Sequence, residues 1–222
     1  MRLLPRRDRD DTRALETVPT PIVLQAASLV LAYPDQQLLD NLGTIRTALA
    51  GTSVEDQFAP VFSHLCGDLP GSEGDPTTQL ARLQAFHVQE FDLSRKHSLH
   101  LSYWTDGDTR RRGAALVDVQ RVYRESGLGV DMAGELPDYL PLLLEFTAAS
   151  PEAGLPLLQR FRASLELIRL GLLADSLPHA GVLAAVCACL PGELAQTRAE
   201  VQARFGDVQP IEFVGLSESA RG

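Results

Sequence analysis

Three carboxylate residues stand close together in the chain and offer two kinds of chemistry. They are Glu135, Asp138 and Glu145. If they converged on one cleft with separated pKa values, they could act as a general acid and a general base. If they lined the rim of an apolar surface instead, they would attract a cationic ligand and speed its approach. The residue types therefore leave both an enzyme and a binding protein open.

Aromatic and basic residues upstream offer a second set of contacts. Tyr103 and Trp104 could line a peptide groove, although aromatic residues of helical domains commonly pack in the core. Arg110 begins a run of three arginines that could bind an anion. The alternative for this run is a solvated link in which Asp106 or Asp108 caps the next helix. Both interpretations remain open from the residues alone.

The histidines and cysteines do not form a metal-ligand pattern. His97 and His100 are three residues apart, but a metal site needs further ligands at known spacing, and the sequence offers none. The three cysteines give no disulfide framework and suit a reducing cytoplasm. We also find no glycine-rich phosphate loop and no nucleophile elbow. We therefore predict neither a metal site nor catalytic residues.

The composition favours one globular domain with an acidic surface. The chain has 222 residues, of which 45% are hydrophobic, and it carries a net charge of −9. Nucleic-acid binding needs a basic surface, so we expect no nucleic-acid partner and favour a partner that carries positive charge. We expect a mobile N-terminal tail over residues 1–18, an all-helical domain over 19–205 and a C-terminal tail over 206–222.

The arginine pair near the start of the chain, Arg6 and Arg7, does not form a twin-arginine export signal. Such a signal needs an apolar stretch soon after the arginines, and acidic residues intervene between positions 8 and 16. No apolar run approaches the roughly 18–20 residues that cross a membrane. We therefore expect a cytoplasmic protein that does not insert into membranes.

Helices must position the candidate residues. Apolar residues recur at helical spacing along most of the chain, which predicts a compact all-α bundle of roughly nine helices. Asp35 caps the second of these helices, and Ser150 opens a long helix whose apolar positions continue to Leu172. Asp138 would cap another helix, with Pro141 in its first turn and core-facing residues at positions 140, 143, 144 and 147.

Two stretches of the chain carry a family resemblance. One reads Glu-Leu-Pro-Asp-Tyr-Leu-Pro from position 135, followed by Leu-Glu-Phe. The other runs from Phe91-Asp92 through Ser98-Leu99-His100-Leu101 to Gly107-Asp108-Thr109-Arg110-Arg111-Arg112-Gly113. In this order they resemble the signatures of NarJ-type nitrate reductase molybdenum-cofactor assembly chaperones, within the wider family of redox enzyme maturation chaperones. The resemblance covers about residues 22–175, and Tyr139 stands where the family usually has histidine.

The resemblance implies a helical chaperone without enzymatic activity. Such a chaperone binds the N-terminal segment of the apo catalytic (alpha) subunit of respiratory nitrate reductase. It keeps that subunit competent for complex assembly and for insertion of the molybdenum cofactor, molybdopterin guanine dinucleotide, and it holds no cofactor stably itself. We expect the peptide-binding residues to be Glu135, Leu136, Pro137, Asp138, Tyr139, Glu145, Tyr103, Trp104, Asp106 and Arg110.

Two other interpretations compete with this one. The chain could be a sister chaperone for another molybdoenzyme whose precursor keeps a twin-arginine signal, although the stretch 107–113 favours the nitrate reductase branch. It could instead be a small helical enzyme that uses Glu135, Asp138 and Glu145. Convergence of these carboxylates on one cleft would favour the enzyme.

Overall fold

The chain folds as a helical bundle. The computed structural model describes residues 19–67, 76–107 and 110–206, so most of the two predicted tails lies outside the described residues. A single-turn π-helix, Val88–Asp92, extends the fourth helix, and the described residues contain no strand. The α-helices are α1 (Thr20–Leu31), α2 (Gln36–Leu49), α3 (Glu55–Cys66), α4 (Pro76–His87), α5 (Leu101–Asp106), α6 (Arg110–Glu125), α7 (Leu140–Ala149), α8 (Pro151–Arg160), α9 (Arg162–Ala174), α10 (Ala180–Ala188) and α11 (Arg198–Phe205).

Short-range signals set several of the helix ends. The Asp35 side chain accepts a hydrogen bond from the backbone N–H of Leu38 at 2.7 Å, which confirms its predicted role as the cap of α2. Thr197 caps α11 in the same way through the N–H of Glu200. Gly67 closes α3 with a φ of 76°, a left-handed conformation that glycine adopts without steric cost.

The described residues contain eleven α-helices, two more than the pattern predicted. One addition is α5, a short helix that stands apart from α4. The other arises because the predicted long helix breaks at Phe161, whose N–H donates to the carbonyl of Leu158, three residues back, at 3.0 Å. The apolar spacing continues across this tight turn, so the pattern did not reveal the break.

Helix α9 lies at the centre of the bundle. Residues 162–172 are all buried, and α5, α10 and α11 pack around them. Helix α1 packs along α7, and the buried apolar residues of the bundle form one continuous core. Helices α7 and α8 approach so closely that a Cβ atom on Gly154 would overlap Thr147. The all-α, single-domain prediction is confirmed, and α7 is held between α1 and α8.

Candidate functional site

The two stretches that carry the resemblance lie against each other. The N–H of Leu101 donates to the carbonyl of Asp138 at 3.1 Å, and the N–H of Leu140 donates to the carbonyl of Leu99 at 2.9 Å. These bonds form an isolated antiparallel bridge between segments far apart in sequence. The start of α5 and the start of α7 are therefore one structural unit.

The side chain of Asp138 completes this unit from a fully buried position. One carboxylate oxygen, Oδ2, accepts from the backbone N–H of Ser102 at 2.9 Å and from its hydroxyl at 2.5 Å. The other oxygen lies 3.4 Å from Nδ1 of His100. Arg112 Nε in turn donates to the Ser102 hydroxyl at 3.3 Å. The contacts join α5, α6 and the start of α7.

Asp138 therefore does not cap its own helix, and this part of the prediction was wrong. The N-cap position of α7 belongs to Tyr139, which makes no capping hydrogen bond with its side chain. Asp138 instead caps α5 from a distance, because Ser102 lies in the first turn of that helix. The remaining expectations for α7 are confirmed: Pro141 lies in its first turn, and positions 140, 143, 144 and 147 are buried.

Burial and hydrogen bonding act in opposite directions on the Asp138 carboxyl. Burial alone would raise its pKa, but the nearby His100 imidazole and the hydrogen bonds from Ser102 together hold the pKa below its usual value. Asp138 is therefore a charged carboxylate at neutral pH. Burial also raises the pKa of the Tyr139 phenol, and the nearby Glu135 and Asp92 raise it further, so this phenol stays protonated.

The geometry does not support acid–base or nucleophilic catalysis. Ser102, His100 and Asp138 are neighbours, but the serine hydroxyl donates to the carboxylate. In a catalytic triad the serine hydroxyl would have to donate to the imidazole instead. Asp138 is buried, Glu135 is exposed on the loop before α7, and Glu145 is exposed in the second half of α7. The three carboxylates therefore lie in separate surroundings and do not form the acid–base cleft of the enzyme hypothesis.

A groove between α1, α2 and α7 contains Glu145. Its volume is about 480 Å³, and the walls are mostly apolar. Ile22 and Leu29 on α1 are 39% and 37% exposed at this surface, which is unusual for large apolar side chains of a helix that otherwise packs in the core. Glu145 is the acidic member of the lining, which comprises Pro21, Ile22, Gln25, Ala26, Leu29, Thr44, Ile45, Ala48, Glu145, Ala148 and Ala149.

We call this surface the α1–α7 groove. The predicted site residues did not include its α1 and α2 walls. A signal was present, because Ile22 and Leu29 are seven residues apart and lie two turns along one helix face. Neither Ile22 nor Leu29 was assigned a role from the sequence, so this signal was missed.

The predicted aromatic and polar residues near α5 occupy different environments. Trp104 is 1% exposed, and its indole N–H donates to the carbonyl of Ser98 at 2.9 Å. Tyr103 and Asp106 are half-buried on the same helix, and Arg110 is exposed at the start of α6. Trp104 therefore packs in the core and offers no surface to a ligand that docks on this conformation.

The predicted residues around the start of α7 divide in the same way. Pro137 is buried, and its carbonyl accepts a hydrogen bond from the Tyr123 hydroxyl at 2.8 Å. Leu136 is 40% exposed beside the exposed Glu135, while Tyr139 is half-buried. Glu135 and Leu136 are accessible to a partner, whereas Pro137 and Asp138 position the segment that carries them.

Another group of residues was missed entirely. Arg162, Glu166 and Arg169 lie on one face of α9 and are all buried. Glu166 accepts from Arg162 at 2.9 Å and from Arg169 at 2.9 Å. Arg162 also donates to the carbonyl of Cys187 at 2.7 Å. Charges spaced at i, i+4 and i+7 within an otherwise apolar helix were the available signal for this network.

His97 lies between two carboxylates. Its ring nitrogens lie 3.1 Å from a carboxylate oxygen of Asp175 and 3.4 Å from one of Glu90. Within residues 19–67, 76–107 and 110–206, no three histidine, cysteine, aspartate or glutamate side chains are grouped to hold a metal ion. Across the same residues, every helix is too short or too polar to traverse a lipid bilayer.

Known proteins resemble this chain in fold and in sequence. A structure described as a redox enzyme maturation protein from Archaeoglobus fulgidus matches with a TM-score of 0.54 at 21% identity, over 80% of this chain and 97% of that chain. The nitrate reductase-like protein NarX of Mycobacterium tuberculosis is 36% identical over 167 residues. That alignment covers 75% of this chain and 24% of NarX. The match to the Archaeoglobus fulgidus structure supports the fold alone.

The nitrate reductase molybdenum cofactor assembly chaperone NarJ of Escherichia coli is 33% identical over 133 residues, which are 60% of this chain and 53% of NarJ. This chain therefore aligns with about a quarter of NarX and about half of NarJ. NarJ is named for assembly and not for catalysis, which agrees with the separated carboxylates. A family model described as nitrate reductase delta subunit matches residues 47–185, so the chain belongs to the nitrate reductase delta subunit family, as a member of the NarJ type.

Proposed function

We propose that this chain is a cytoplasmic assembly chaperone that binds the N-terminal segment of the apo catalytic subunit of nitrate reductase. It holds that subunit ready for insertion of the molybdenum cofactor and then leaves the complex. Family membership supports the choice of partner. The α1–α7 groove is the observation that carries the binding mode. No catalytic step is needed, because binding the unfinished form favours that form until cofactor insertion changes its shape.

The groove suits an amphipathic helix. Ile22 and Leu29 are about 10.5 Å apart along α1, so a partner helix with apolar residues at i, i+3 or i+4, and i+7 would cover both. Alanines line the opposite side at positions 148 and 149, which leaves room for larger partner side chains. Glu145 would pair with a lysine or arginine of the partner and set its register.

The signature residues support this groove in two ways. Asp138 and Trp104 are buried, so we assign them to holding α5 and α7 in place rather than to touching the peptide. Glu135 and Leu136 are exposed and extend the surface available to a longer partner segment. Glu145 is the predicted site residue that we place in direct contact with the peptide.

Replacing Leu29 by Ser should weaken the groove without unfolding the protein. Loss of the apolar contact should raise the Kd of a peptide comprising the first 40 residues of a nitrate reductase catalytic subunit by roughly tenfold. Titration calorimetry measures this change. Leu173, which is 58% exposed and does not line the groove, provides the control. If Leu173→Ser weakens binding as much as Leu29→Ser, or if the parent does not bind the peptide, the proposal is wrong.

Association kinetics can distinguish the roles of the two exposed glutamates, Glu145 and Glu135. Glu145→Gln should slow association with the same peptide at low salt, because charges at an interface act mainly on the rate of encounter. The difference from the parent should shrink at high salt, where exposed charges are screened. Stopped-flow measurements at two salt concentrations provide the test. Glu135→Gln should have the smaller effect, and the reverse order would move the peptide from the groove to the loop before α7.

A further inference from the structure

Three histidines from different elements meet in a buried cluster. His64 lies on α3, His87 ends α4, and His179 immediately precedes α10. The rings of His64 and His179 are 5.8 Å apart. Phe86 stacks on His179 at 5.7 Å, and Phe91 meets the same ring edge-on at 5.2 Å. His87 and His179 are only 4% and 3% exposed, so water reaches these two rings poorly, whereas His64 is half-buried.

Few charges face the cluster from the elements packed around it. Arg82 on α4 acts on His64, and the exposed Asp92 lies 3.9 Å from Nε2 of His87. The ionisable groups acting on His179 are the other two imidazoles, and its Nδ1 is buried without a hydrogen-bond partner. A proton added at Nδ1 would create a buried N–H with no acceptor. The arrangement thus favours three neutral rings.

The titration behaviour agrees with this geometry. Burial, together with the smaller effect of the other two histidines, lowers the pKa of His179 to about 3. Burial likewise lowers the pKa of His64 and His87 below the usual 6.5, although Asp92 partly offsets the effect at His87. At any pH between the lowered pKa values of the packed rings and their usual value, a state that exposes the rings binds more protons than the packed state does. The packed cluster is therefore fully favoured above about pH 6.5 and loses stability as the pH falls.

The cluster meets the chain at the C-terminal end of α1. The backbone of Val30, near the C-terminal end of α1, faces His179 and partly offsets the lowering of the pKa of that ring. Tyr33, which follows α1, contacts the ring of His87 edge-on at 5.4 Å. The neighbouring residue Leu29 lines the groove. The C-terminal end of α1 thus rests on the histidine cluster through Val30 and Tyr33 and presents Leu29 to the groove.

We propose that protonation of the histidine cluster releases the C-terminal end of α1 and thereby lowers the affinity of the α1–α7 groove for the partner segment. The ligand in this proposal rests on the proposed function. Because the linkage is reciprocal, peptide binding opposes proton uptake by the cluster. Acidification then acts as a release signal, and it acts through α1 rather than through the carboxylates of the groove.

The affinity of the 40-residue peptide should be measured at pH 7.5, 6.5 and 5.5. We expect the Kd of the parent to rise about tenfold between pH 7.5 and pH 5.5. A tenfold change is what results when release of the peptide is coupled to uptake of roughly one proton across one pH unit. His87→Phe keeps an aromatic ring in the cluster but cannot be protonated, so it should flatten the pH dependence. His97→Gln removes a histidine that lies outside the cluster and does not line the groove, and it should keep the dependence of the parent. A pH-independent parent, or a His87→Phe variant as pH-sensitive as the parent, overturns the proposal.

Hydrogen exchange separates this inference from the proposed function. In the free protein, the amides at the C-terminal end of α1 should lose protection at pH 5.5 after correction for intrinsic exchange, while those of α9 keep theirs. If the peptide fails to bind at pH 7.5 and α1 still loses protection at pH 5.5, the proposed function is wrong but the pH-dependent release of α1 stands. If the α1 amides stay as protected as those of α9 at pH 5.5, release of α1 is refuted whatever the peptide does.

Discussion

Replacing Glu166 by Gln will lower the free energy of unfolding by about 3–5 kcal/mol, because removing one member of a buried ion pair leaves uncompensated charge in the core. Glu166 is fully buried between Arg162 and Arg169, which are 2% and 7% exposed. It also accepts from the backbone N–H of Ala195 at 3.3 Å. Glutamine has nearly the same shape but cannot balance either guanidinium. The segment that connects α10 to α11 should loosen together with α9.

Asp118 provides a matched control for this prediction. Its carboxylate also lies between two arginines, Arg121 at 3.0 Å and Arg160 at 3.5 Å, but its side chain is 42% exposed. Asp118→Asn should therefore cost less than about 1 kcal/mol, since water screens exposed ion pairs. Chemical denaturation of both variants measures the two costs. Equal and small costs would mean that the Glu166 network contributes little to stability.

Replacing Asp138 by Ala will weaken the attachment between the two signature segments. The substitution leaves the N–H and the hydroxyl of Ser102 without their acceptor in a buried site. Each buried donor left unsatisfied costs about 1–3 kcal/mol, so we expect a loss of about 2–4 kcal/mol in the free energy of unfolding. That exceeds the cost of about 0.5–2 kcal/mol expected for a simple helix cap. Thermal or chemical denaturation measures the loss.

Asp35 is the control for Asp138, since it is an exposed aspartate that caps its own helix through a single hydrogen bond. Asp35→Ala should cost about 1 kcal/mol. The Asp138 variant should also expose the amides of α5 to hydrogen exchange, because α5 loses its cap. If Asp138→Ala costs no more than Asp35→Ala and α5 remains protected, the carboxylate does not hold the two segments together.

The outcome for Asp138 also bears on function. The bonds around it fix α7 relative to α5 and α6, and α7 carries Glu145 into the groove. A destabilised Asp138 variant should lose peptide affinity through a disordered groove wall, without any direct contact having been removed. The most conspicuous residue of the signature would then be a positioning residue, and the contact residues would lie on α1, α2 and the far end of α7.

Local sequence determined much of this protein. Apolar spacing and capping residues placed most helices, since a helix end depends on a side chain within a few positions, as at Asp35. The burial of Leu140, Leu143 and Leu144 followed from the same periodicity. The order of the two signature stretches indicated the family, because family motifs are themselves local patterns. These inferences needed no knowledge of which helices pack together.

Only the tertiary structure decided the roles of the charged residues. Asp138 caps α5 instead of α7 because a chain reversal brings Ser102 to it across 36 positions. Glu145 is poised beside an apolar groove because α1 packs against both α2 and α7, whereas Glu135 lies outside that groove. Arg162 and Arg169 are tolerated in the core because Glu166 and distant backbone carbonyls meet them there. Partners of this kind are set by which surfaces meet, and periodicity along one helix carries no information about that choice.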